Sequence, residues 1–330
     1  MKFGIFYEHQ LPREWDEFSE HNLIKNSLDQ IELADQLGFD YAWEVEHHFL
    51  EEYSHSSAPE VFLAAASQRT KNIRLGHGII QLTTNHPARV AERVSTLDLV
   101  SDGRVEMGIG EGSSVTELHP FNLRFRDKRD VWEDAVRCTL PMMYNAAWEY
   151  DGEFFKFPKR AVVPKPLQKP HPPLWVACSQ LDTIRYAAHR GMGALCFKFV
   201  NLDAAEAWVN AYYNTFIHQQ QKLTDYQANP NIAVVSGFMC AETVEADTRR
   251  SKTKWQRIDW LARYHSCAAQ RIRGHQCRPG HPTQPGRKEH PRRHLRFTQA
   301  FRKGSHARIP RPRTRTSGLE DRCAKSRNHT

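Results

Sequence analysis

At 330 residues, with 40% hydrophobic and 25% charged side chains, the chain is long enough to bury a large core in one barrel-sized domain. It contains no apolar run of about 18 residues, which excludes a membrane-spanning helix of ordinary length. Its seven cysteines include no C-x-x-C pair, which argues against a disulfide framework or a zinc site.

The formal charge of +8 averages two unlike segments. Residues 251–330 hold 21 Lys+Arg against 4 Asp+Glu, whereas residues 1–250 hold 25 against 34. The stretch Met1-Lys2-Phe3-Gly4-Ile5-Phe6 turns polar too early for a signal peptide, so a reduced, cytoplasmic protein is expected.

The first strand is predicted from Lys2 to Tyr7, with Glu8, His9 and Gln10 at its C-terminal end. Asn22 to Leu37 reads as a helix that places Ile24, Leu28, Ile31 and Ala34 on one face and stops at Gly38. The second strand passes through Tyr41, Trp43 and Val45, alternating with Ala42 and Glu44, and delivers Glu46-His47-His48. An alanine-rich helix spans Pro59 to Arg69. A third strand, Ile73 to Leu82, carries Gly76 and Gly78, where glycine marks close backbone approach. Pro87 to Val100 is a helix with proline near its start. Val105 to Ile109 is a fourth strand, followed by Gly110-Glu111-Gly112.

Arg129 to Met143 reads as a long amphipathic helix, and Phe154 to Pro173 as a proline-rich irregular stretch. Pro173 to Ala177 is a fifth strand, and Cys178-Ser179-Gln180-Leu181-Asp182-Thr183 leads into a helix ending near His189. Strands at Ala194–Val200 and Ile232–Phe238 flank a helix at Ala204–Gln220. Alternating strands and helices at this spacing predict parallel βαβ units. From about Ser251 the pattern ends. Only 11 of the last 80 residues are Ile, Leu, Val, Met, Phe, Trp or Tyr, too few to offset the entropy of ordering the segment. The prediction is therefore an α/β fold, a (β/α)8 TIM barrel over residues 1–250 that lacks its eighth strand, and a basic, disordered tail over 251–330.

A buried strand that delivers acid and imidazole groups at its C-terminal end is how such a barrel builds an active site. The alternative is that Glu46, His47 and His48 only mark a strand end.

From Met1 to about Arg250 the chain resembles the bacterial luciferase-like family of flavin-dependent monooxygenases. The resemblance is carried by Met1-Lys2-Phe3-Gly4, Gly38-Phe39-Asp40, Glu46-His47-His48-Phe49, His86-Pro87-x-Arg89-x-Ala91-Glu92, Leu97-Asp98-x-x-Ser101-x-Gly103-Arg104, Pro164-Lys165-Pro166 and Pro172-Pro173. Their order and spacing together are specific. The resemblance implies the luciferase-like TIM barrel. It also implies reduced FMN from a separate flavin reductase, O2, a small organic substrate and a homodimer formed through the helices at Pro59–Arg69 and Pro87–Val100.

By the same resemblance His47 is the active-site histidine, an imidazole able to move protons beside the flavin. Glu46 is the neighbour that biases its protonation, and His48 points to the other face. The flavin phosphate is expected at Ser179, Thr183 and Arg129, with the helix N–H groups after the fifth strand. Simple helix capping by Ser179 and Thr183, and a surface ion pair at Arg129, are the competing readings. Gly110 and Glu111 stand where luciferase has cysteine and arginine, which argues against light emission. Cys178 replaces a glutamate, leaving a backbone contact to the cofactor. The bond Gly78–Ile79 matches an unusual cis peptide of the family.

Three other readings remain open. F420, a deazaflavin, is used by the same barrel. A metal-dependent hydrolase would find ligand types in Glu44, Glu46, His47 and His48, with His9 and His77 scattered nearby. Arg292-Arg293 and Arg311-Pro312-Arg313-Thr314-Arg315 have the composition of a nucleic-acid-binding arm. An arm has no evident use on a flavin barrel, however, and the basic segment begins where a barrel helix should continue, as a shifted reading frame would produce.

Overall fold

The computed structural model describes residues 2–197, 202–218 and 220–235. In chain order the elements are β1 (Gly4–Tyr7), α1 (Ser19–Gln36), β2 (Tyr41–Val45), α2 (Pro59–Arg69), β3 (Arg74–Gln81), α3 (Pro87–Val100) and β4 (Val105–Gly110). There follow α4 (Val115–Leu118), α5 (Lys128–Tyr144), β5 (Trp148–Asp151), β6 (Lys156–Arg160), β7 (Leu174–Cys178), α6 (Leu181–His189), β8 (Gly193–Cys196), α7 (Leu202–His218) and β9 (Ile232–Val234). Seven strands form one sheet in the order β1-β2-β3-β4-β7-β8-β9, and every neighbouring pair is parallel.

The sheet curls, as its side chains show. Trp43 of β2 meets Trp175 of β7 edge-on with ring centroids 5.4 Å apart, and Phe6 of β1 meets Phe197, just after β8, at 5.2 Å. These strands are not neighbours in the sheet, so only curvature brings their inner faces together. Trp43, Trp175 and Leu195 form this inner cluster, with Phe6, Tyr41, Ile79 and Ala233 packed against it. The helices cover the outer face through a second and larger core that includes Ile31, Leu63, Ala66, Val94 and Leu97. Apolar side chains therefore pack on both faces of the sheet. A curled parallel sheet with helices on its outer face is the barrel-type α/β architecture expected from the sequence. Among the described residues no eighth strand joins β9 to β1; the expected tail at 251–330 lies outside them.

Close backbone approach is real at two glycines. A Cβ on Gly108 would lie 2.1 Å from the His77 carbonyl oxygen, and one on Gly78 3.1 Å from the Glu44 backbone. Gly78 is also the extra residue of a β-bulge: Glu44 pairs with His77 and Val45 with Ile79. The Gly78–Ile79 bond is not among the cis peptides, which are Arg13–Glu14, Val163–Pro164 and Lys169–Pro170. At that position the chain uses a bulge instead.

One further expectation changes. The stretch from Phe154 is not all irregular, because β5 and β6 form an antiparallel hairpin. Asp134 of α5 holds it by accepting from Tyr150 Oη and from the backbone N–H of Phe154 and Phe155 at 2.5, 2.9 and 3.0 Å. Arg104, part of one of the motifs above, is structural: its buried guanidinium donates to the carbonyls of Ser67, Ile73 and Ser101 and to Thr70 Oγ1. It thereby fastens the α2–β3 turn to the start of β4.

Candidate active site

Strand alternation decides what gathers at the C-terminal mouth of the sheet. Phe6 and Trp43 face inward, so Glu8 and His47, which share their parity, face the same way. Tyr7, His9, Glu44, Glu46 and His48 have the opposite parity. Accordingly His9 Nδ1 pairs with Glu44 Oε1 at 2.8 Å on the outer side, and the His9 ring meets Phe62 of α2 edge-on at 4.7 Å.

His47 lies between two carboxylates. Its Nδ1 is 2.8 Å from Glu117 Oε1, and its Nε2 is 3.4 Å from Glu8 Oε2. Tyr53 stands edge-on to the imidazole at 5.5 Å and donates to Glu8 Oε1 at 3.4 Å. The side chain of Glu117 is fully buried, whereas those of His47 and Glu8 keep 18% and 22% of their surface, so the imidazole remains reachable from the mouth. Burial by itself would lower the His47 pKa. The hydrogen bonds and charges of Glu117 and Glu8 outweigh it and raise the pKa to about 9. Burial would raise the Glu117 pKa, but the bonds to His47, Ser114 and Gln81 hold it down at about 2. Tyr53 is pushed up to about 12 by burial and the Glu8 charge.

Glu117 was not singled out in the sequence, although the signal is present. Ser114-x-x-Glu117 is a capping-box pattern, and it builds the single turn of α4. Ser114 Oγ accepts from the Glu117 N–H, and Oε2 of Glu117 accepts from the hydroxyls of Ser113 and Ser114. Gln81 Nε2 and the His48 N–H complete the set on Oε1. The role expected of Glu46 therefore falls to Glu117. The Glu46 carboxylate accepts from Gln81 N and Asn85 Nδ2 and pairs with His48 Nε2 at 3.0 Å. Its parity turns it away from His47.

Gly78, Ile79 and Gly110 occupy the inner side: a Cβ on Gly110 would touch Ile79 Cδ1 at 2.9 Å, and Ile79 packs on the Trp43 cluster. Arg129 Nη2 pairs with Glu111 Oε1 at 2.6 Å, and its guanidinium lies 4.4 Å from the ring centre of Tyr186 on α6. Cys178 is turned outward into the helix-side core, its Sγ donating to the Thr183 carbonyl at 3.3 Å. Thr183 Oγ1 accepts from the Gln180 N–H at 3.1 Å and donates to its carbonyl at 2.7 Å, so this hydroxyl caps α6. Ser179 is exposed at the same turn. Among the described residues no three His, Cys, Asp or Glu side chains gather as a metal site requires, and no helix is long and apolar enough to cross a membrane.

The oxygenase component of flavin-dependent trigonelline monooxygenase from Acinetobacter baylyi is 29% identical over 198 residues, which is 58% of this chain and 52% of that protein. The chain spans about half the length of the curated relatives it matches. Among solved structures, the oxygenating constituent of 3,6-diketocamphane monooxygenase from Pseudomonas putida, in complex with FMN, superposes with a TM-score of 0.65 at 18% identity, covering 83% of this chain and 76% of that one. Coenzyme F420-dependent tetrahydromethanopterin reductase from Methanopyrus kandleri gives a TM-score of 0.52 at 22% identity, covering 71% and 65%. At these identities the two structures establish the shared fold. The family model described as luciferase-like monooxygenase matches residues 1–309, and the chain therefore belongs to that family.

Proposed function

We propose that this chain is built as a flavin-dependent monooxygenase that uses reduced FMN, delivered by a separate reductase, and O2 on a small organic substrate. The observation that carries the reading is the His47 imidazole held between Glu117 and Glu8 at the mouth of an apolar sheet interior. The residues fit a flavin. Gln81 Oε1 is a buried acceptor without a hydrogen-bond donor among the described residues, as a ring with N–H donors requires. Lys128 and Arg129 offer cations for a phosphate. When bound, reduced flavin supplies the electrons that activate O2.

The protein's own part is proton handling. With a pKa near 9, His47 carries its proton at neutral pH, so it donates a proton or a hydrogen bond at the reacting edge rather than abstracting one. Glu117 fixes the ring orientation, and Tyr53 and Glu8 stand on its other side. The aromatic interior keeps bulk water from the inner face. The oxygenase-component relative supports the separate reductase, and exposed Val61, Leu99 and Val100 on α2 and α3 support a dimer through those helices. F420 is the second reading, favoured by the likeness to the F420-dependent reductase.

The test is to mix reduced FMN and the full-length protein with O2 and follow flavin reoxidation by stopped flow. His47→Ala is expected to slow this step by roughly 10²–10⁴-fold, the range for a positioned proton-transfer group, with FMN affinity nearly intact. An unchanged rate removes His47 from the reaction, and binding of F420 in place of FMN replaces the cofactor reading.

A further inference from the structure

The first turn of α5 carries two adjacent cations, Lys128 and Arg129, at the helix end where the macrodipole favours anions. What neutralises them is internal. Glu111, the residue immediately after β4, places Oε1 2.6 Å from Arg129 Nη2 and Oε2 3.7 Å from Lys128 Nζ. Its backbone is fastened too: Thr83 Oγ1 donates to the Glu111 carbonyl at 2.9 Å, and Lys128 Nζ to the Gly112 carbonyl at 3.1 Å. The Glu111 side chain is only 17% exposed.

Arg129 faces α6 and the end of β7, whereas Lys128 lies over the Phe125 ring at 4.5 Å. Arg129 lies over Tyr186 of α6, which Arg190 also approaches at 5.0 Å, and the Arg129 charge is felt at the Cys178 thiol. The other carboxylate of this cluster, Glu133, is occupied by Arg137, Arg190 and Tyr186 Oη.

We infer that Glu111 is a built-in counter-anion that competes with the flavin phosphate for Arg129 and Lys128, so that the site loses the preference for phosphorylated over unphosphorylated flavin that a free cation pair would give. This inference rests on the flavin reading proposed above. A phosphate can reach Arg129 only by displacing a carboxylate already in charge-assisted contact with it, or by lying beside that carboxylate and meeting like-charge repulsion. An unphosphorylated flavin encounters neither obstacle.

The experiment is a calorimetric titration of the full-length protein, and of Glu111→Gln and Glu111→Ala, with FMN and with riboflavin. The native protein is expected to bind the two within about threefold of each other. Both variants are expected to gain about tenfold for FMN, the size of one recovered charge-assisted contact, with riboflavin affinity unchanged. A native protein that prefers FMN by tenfold or more, or variants whose FMN affinity stays the same or falls, overturns the inference and leaves the flavin reading standing. If neither flavin binds any of the three proteins, the flavin reading itself fails, and this inference with it.

Discussion

At the scale of single residues, the candidate site is an imidazolium between two carboxylates. The pair His47–Glu117 also ties stability to pH. The His47 pKa is raised from its ordinary 6.5 to about 9, so its contribution is complete below 6.5 and is lost as pH rises through 9. The Glu117 pKa is lowered from 4.5 to about 2, so its contribution is complete above 4.5 and is lost as pH falls towards 2. The pair therefore stabilises most between pH 4.5 and 6.5. Glu117→Gln removes the charge while keeping an oxygen within reach of Nδ1. It is expected to move the alkaline fall in flavin reoxidation rate from near pH 9 towards the ordinary histidine range. The variant's pH–rate profile checks this, and a limb that stays at 9 would show that Glu117 serves α4 alone.

At the scale of elements, the mouth is shaped by where β3 and β4 touch. Gly108 admits no side chain, because its Cβ would sit inside the His77 carbonyl. Gly108→Ala must push the two strands apart, displacing His77 and, through the Gly78 bulge, the register of β2. A loss of about 1–3 kcal/mol, the usual cost of overpacking, should appear as an earlier chemical-denaturation midpoint. A midpoint equal to that of the native chain would mean that the strands yield freely. Short α4 is the opposite case: four residues cannot hold a helix by propensity, so it persists through the capping of Ser114 and the burial of Glu117 and Leu118.

At the scale of the whole molecule, the described sheet has β1 at one edge and β9 at the other. A closed barrel would pair the first strand with an eighth. We propose that residues 251–330, which hold few large apolar groups and lie outside the described residues, arise from a shifted reading frame. Limited trypsin digestion is then expected to trim the chain to a product ending near Arg250. A full-length chain that resists trypsin beyond Arg250 would refute this. Reading the coding DNA in the other frames from about codon 250 supplies an independent check, because one frame should restore alternating helix and strand.

The order of the seven sheet strands, their parallel pairing and the position of His47 at a strand end were legible in the sequence alone. Apolar periodicity, glycine and proline stops, and the delivery of polar groups at strand ends are local signals that survive without knowledge of packing. Glu8 and His9 could also have been assigned to opposite faces by parity alone. Partnership between side chains, in contrast, is set by the three-dimensional fold. Glu117 lies 70 residues from His47, and Arg129 lies 18 residues from Glu111. No periodicity reports such pairs, because they form only when β2, β4 and the turns after β4 are carried to the same end of a curled sheet. The β5–β6 hairpin escaped for a related reason: its strands are short and mostly exposed, and the group that holds them, Asp134, belongs to another element.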